Sequence, residues 1–69
     1  MKLRTEVSIS VLDMGLVFVM NLEIKYLADL LLKLVLLDVE FNYSDNELIV
    51  YMSKSKLLNI INSLEVLKS

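Results

Sequence analysis

Few residues in this 69-residue chain could do chemistry. It has no His and no Cys, so the usual general base, the usual strong nucleophile and most transition-metal ligands are missing. Carboxylates and hydroxyls remain. Glu40, Asp45 and Glu47 gather around one turn, and paired carboxylates can act as acid and base where burial moves their pKa values apart. A turn is solvated and gives no such burial, so these read as surface acids. Ser8 and Ser10 alternate with apolar residues along a strand; they face outward, with no base to activate them. Any metal site would have to be a cage of carboxylates for a hard cation, and one Gly cannot build a phosphate-cradling loop. The chain is therefore expected not to be an enzyme, and to need no cofactor or metal.

The elements that would position these groups form the same sequence of parts twice. Val7, Ile9 and Val11 alternate with Ser8 and Ser10, as Val39, Phe41 and Tyr43 alternate with Glu40 and Asn42; period 2 is the signal of a half-buried strand. Asp13-Met14-Gly15 and Ser44-Asp45-Asn46 carry turn chemistry, because Asp, Asn and Gly tolerate left-handed backbone. Return strands rich in β-branched and aromatic residues follow at 16–20 and 48–52. Asn21 and Ser53 are then placed as helix N-caps, opening helices over about 22–37 and 54–68. The echo runs at an offset of about 32 residues. It predicts a single α+β domain over 1–69, with a possible internal repeat of about 7–37 and 39–68. The fold expected is ββαββα, two strand-turn-strand-helix units forming one antiparallel sheet with both helices on one face. A single long helix over 14–37 is the alternative for the first half; Val17, Phe18 and Val19 favour the strand.

Composition then asks what covers these elements. Of the residues, 57 % are hydrophobic and the mean hydropathy is +0.64, above the ~45–50 % apolar content usual for soluble domains. A chain this short buries only about 60 % of the surface it exposes unfolded, and with disulfides excluded a partner chain is the natural supplement. The two helices differ in the same sense. Leu57, Ile60, Ile61, Leu64 and Leu67 make one stripe on the second, opposite Lys56, Asn59, Asn62 and Ser63. The first is apolar nearly all round, interrupted only near Lys25, Asp29 and Lys33, as in a helix covered on more than one side. If Phe18, Val50 and Met52 point to the helices, Val17, Val19, Ile49 and Tyr51 lie on the opposite face, which would be polar if it met water. The residues expected to bind a partner are thus Val17, Val19, Ile49 and Tyr51 on the sheet and Leu27, Leu31 and Leu34 on the first helix. Met14, Met20 and Met52 read as core filler.

Other partners fit less well. The net charge is −2 and basic residues are scattered, whereas gripping a phosphate backbone takes clustered Lys and Arg; no direct nucleic-acid binding is expected. The longest uncharged run, residues 14–22, falls short of the ~20 apolar residues that span a bilayer. Lys2 and Arg4 lead into Glu6 and alternating Ser rather than an apolar stretch, so no signal peptide is read. A cytoplasmic location without membrane attachment is the expectation.

The second half also carries a resemblance. Residues 39–43, a turn, residues 47–52 and the helical segment Ile61, Asn62, Ser63, Leu64 with a late Lys68 resemble the dimerisation subunit of the KEOPS complex, or that subunit's paralogous partner. The resemblance implies a non-catalytic scaffold. It would pair as a homodimer or paralogous heterodimer through sheet and helix. One surface would dock the catalytic subunit that makes threonylcarbamoyladenosine on tRNA. The alternative is a small regulatory protein, an antitoxin or a viral inhibitor, that also acts by binding a protein.

Overall fold

The computed structural model describes residues 5–68, with side chains described as far as residue 64. Two tight turns organise it. Met14 and Gly15 in the first, and Asp45 and Asn46 in the second, all have positive φ, the combination that a two-residue type I′ hairpin demands. The first turn joins β1 (Glu6–Asp13) to β2 (Leu16–Glu23), and the second joins β3 (Phe41–Ser44) to β4 (Glu47–Tyr51). Both hairpins expected from the turn chemistry are present, and the single-helix alternative for the first half is not.

β2 runs further than expected. Its pairing with β1 continues unbroken from Asp13↔Leu16 to Glu6↔Glu23, and Asn21 lies opposite Ser8 inside the ladder. Asn21 is therefore a strand residue and no helix cap, because Leu22 still gains burial against the core and the ladder holds it. A 3₁₀ turn at Ile24–Tyr26 follows, and α1 spans only Leu27–Leu36. α1 ends in a Schellman motif: Val39 N–H donates to the Leu34 carbonyl at 2.9 Å and Asp38 N–H to the Val35 carbonyl at 3.1 Å, with Asp38 at positive φ where Gly is usual. α2 (Lys54–Lys68) opens on the expected cap, since the Ser53 hydroxyl accepts the Lys56 N–H at 3.2 Å. A second cap comes from across the sheet, where Asp13 Oδ2 accepts the Lys54 N–H at 3.1 Å.

The four strands form one sheet in the order β2–β1–β4–β3. The hairpins are antiparallel within themselves, but β1 and β4 pair parallel, from Ser8↔Glu47 to Leu12↔Tyr51. The sheet is therefore mixed, where the alternation had predicted antiparallel pairing throughout. Topology explains it: α1 carries the chain to the far edge, so β3 runs with β2, and β4 returns beside β1 in the same direction. Core and parallel pair coincide. Val7, Ile9 and Val11 of β1 and Leu48 and Val50 of β4 are wholly buried, with Leu30 and Leu34 of α1 and Leu57 of α2. Each such side chain contributes about 1.5–3 kcal/mol over staying in water. The molecule is a slab with extents of 38 × 26 × 17 Å, two layers thick, so among the described residues one face of the sheet has no layer over it. Among the described residues, no helix is long and apolar enough to cross a membrane.

Candidate functional site

Strand alternation decides what the open face carries. Odd residues of β1 and even residues of β2 and β4 turn inward, as their burial shows, so their neighbours turn outward. Across the sheet, the outward residues form rows fixed by register. At one end Val17, Leu12 and Tyr51 lie side by side; next come Val19, Ser10, Ile49 and Asn42, then Asn21, Ser8, Glu47 and Ser44, and at the far end Glu23 and Glu6. The face is graded, apolar at the end nearest the first turn and acidic at the other.

The apolar end is open to water. Val17 is 61 % exposed, Val19 67 % and Tyr51 46 %, while Ile49 and Leu12 are half-buried by their neighbours. The turn extends this area around the end of the slab, with Leu16 exposed and Met14 98 % exposed. Met14 is a correction to the sequence reading, which had it filling the core. Its place in a two-residue turn beside the lone Gly was the signal that it could not be inside. Among the described non-Gly residues with positive φ, Met14 alone is neither Asp nor Asn; Asn and Asp tolerate that region far better than other side chains. Met20 and Met52 do pack against the core.

The helix residues expected at the interface are placed differently. Leu27 and Leu34 lie in the chain's own core, and Leu31 packs half-buried against it, so Leu27 and Leu34 are out of a partner's reach. The surplus of α1 is real but sits on its other side, at Leu32, Val35 and Leu36, continuing to Leu37. A helix apolar nearly all round does not say which stripe the sheet will take. Beside Leu37 an open groove of about 330 Å³ is lined by Val39, Met52, Lys56, Asn59 and Ile60. On α2, Leu57, Ile61 and Leu64 face inward as the stripe predicted.

The acidic end has a shallow depression lined by Thr5, Glu6, Ser8, Asn21, Asn46 and Glu47. Its side chains are exposed or half-buried. Glu40, Asp45 and Glu47 are exposed, and among the described residues no three candidate metal ligands come together. The charged contacts are superficial: Lys25 meets Glu23 at 3.6 Å with both side chains largely exposed, a pair of the kind that contributes little. Lys54, by contrast, lies over the Phe18 ring at 4.5 Å and ties the start of α2 to β2.

Fold and surface together define an α+β two-layer domain with an open, half-apolar sheet. Comparison with protein families, with curated proteins and with solved structures returns no match.

Proposed function

We propose that this chain is a non-catalytic protein-binding subunit, which docks a partner chain on the apolar end of its open sheet face. The observation that carries the reading is the row structure: Val17, Val19, Leu12, Ile49 and Tyr51 are contiguous on the uncovered face, with the exposed Met14 in the turn at its end. Contiguous exposed apolar patches mark interaction sites, and acids withdrawn to the far end leave the centre of the patch uncharged, as interface centres are.

Within this class the resemblance of the second half supports one assembly, the KEOPS complex, as a scaffold beside the subunit that modifies tRNA. β3, β4 and α2 supply the hairpin and helix on which that resemblance rests. The test is a double substitution, Ile49→Asp with Tyr51→Asp, at two outward positions of β4. Association with the purified KEOPS catalytic subunit, or with a second copy, is expected to be lost while the circular dichroism of the chain is unchanged. Association that survives would remove the sheet face from the interface.

A further inference from the structure

α1 is apolar on two sides and covered on one. Of its 10 residues only Asp29 and Lys33 are polar, and Leu27, Leu30 and Leu34 lie in the core. A helix turns about 100° per residue, so Ala28, Leu32, Val35 and Leu36, spaced by threes and fours, form a second stripe on the side away from the sheet. That stripe meets water. Leu32 is 58 % exposed, Val35 61 % and Leu36 70 %, and Ala28 is exposed beside them. Asp29 and Lys33 sit one turn apart along a single flank of the stripe, the flank on which Lys33 lines a groove with Asn59 and Ser63 of α2. The opposite flank is apolar, at Leu31.

We propose that a second copy of this chain packs its α1 antiparallel on this one, outer stripe against outer stripe. This deepens the protein-binding reading above by giving α1 a partner of its own. An antiparallel two-fold brings like flanks together, so the Asp29 and Lys33 flank of one copy lies along the same flank of the other. A parallel two-fold would set that flank against the apolar Leu31 side instead. Charge then selects the register. Centring the axis on Asp29 opposes two carboxylates, and centring it on Lys33 opposes two ammonium groups. Centring it on Leu31 sets Asp29 of each copy level with Lys33 of the other. In that register the apolar stripes interleave. The two Leu32 residues straddle the axis, about 3 Å apart along it at a rise of 1.5 Å per residue. The small Ala28 of each copy falls level with the gap between Leu32 and Val35 of the other. Size and charge thus agree on one arrangement. Asp29 keeps the contact it makes within its own chain, because a carboxylate accepts several donors. The pairing covers the second stripe of α1 and leaves an open sheet face on each outer side of the dimer for a further protein.

Charge exchange on the full chain tests the pairing, read by sedimentation equilibrium. Asp29→Lys alone and Lys33→Asp alone each set like charge against like at both contacts, and each is expected to weaken self-association about tenfold. Mixed in equal amounts, the two variants are expected to regain it as a heterodimer, because every contact then joins opposite charges. A contact on any other surface would show no such rescue. Leu32→Asp, at a position 58 % exposed, is expected to give a monomer with the circular dichroism of the parent; if Asp29→Lys does not fold, this variant decides. Self-association of Leu32→Asp equal to the parent's, or a mixture no tighter than its components, overturns the pairing. If the parent still exceeds monomer mass in that case, the protein-binding reading stands and the contact lies elsewhere; a folded monomer at every concentration removes the pairing and self-association with it.

Discussion

The two hairpins are made alike and used differently. Each turns on two residues with positive φ and each lays one face on the helices, yet the ends of their strands diverge. In the second hairpin the tip is polar, with the Tyr43 hydroxyl donating to Asn46 Oδ1 at 3.1 Å, and β4 behind it is a core strand. In the first the tip is Met14 between Asp13 and Gly15, and β2 behind it lies at the sheet edge with Val17 and Val19 in water. The turns themselves are offset by one residue less than the sequence echo: Met14 corresponds to Asp45, while the echo matches Asp13 with it. A one-residue slip exchanges the faces of a strand. Superposed on their turns, the hairpins would present opposite faces to the helices, so the resemblance between the halves is one of alternation and not of shared packing. Each hairpin gives one strand to the core, β1 or β4, and the difference lies in β2, the outer strand whose Val17 and Val19 stay in water.

That contrast can be broken most severely at β4. Leu48 is wholly buried, and Leu48→Ala is expected to cost about 2–5 kcal/mol, read as a shift in the urea midpoint; a loss under ~1 kcal/mol would place β4 outside the core. Next comes the link between the first hairpin and α2. Asp13→Ala removes the acceptor of the Lys54 N–H and is expected to cost about 0.5–2 kcal/mol, whereas a thermal midpoint unchanged from the parent would show that Ser53 caps the helix unaided. Met14→Asn should act in the other direction, stabilising by roughly 0.5–1 kcal/mol because Asn tolerates positive φ. If the same variant weakens partner binding, the strain at the tip is kept for function. The smallest effect on stability is expected at Val17→Thr, within about 0.5 kcal/mol as for exposed sites generally, together with weaker association in sedimentation velocity. Stability and binding that fell together would mean that Val17 supports the fold.

Much of this division was legible in the residues themselves. Alternation placed Phe18, Val50 and Met52 inward and Val17, Val19, Ile49 and Tyr51 outward, and the turn residues located both hairpins. The Ser53 cap was legible because its hydroxyl acts on the next turn of chain. What went unread depends on partners distant in sequence. Nothing local to Val7–Val11 or Leu48–Val50 announces that these strands pair parallel, and Asn21 looks as much like a cap as like a strand residue until Ser8 is placed beside it. α1 was ambiguous for a related reason: with Leu on most sides, Leu30 and Leu34 were distinguished from Leu32 and Leu36 only by where the sheet lies. The partner sites assigned to Leu27 and Leu34 failed on that point.

The central claim is that the apolar surplus of this slab is a surface for another chain. Sedimentation equilibrium of the isolated protein over a range of concentrations tests it most directly. The expected result is a mass that rises above 7.9 kDa toward twice that value as concentration increases. A folded monomer at every concentration would contradict the account and show that the exposed valines, Tyr51 and Met14 are tolerated in water.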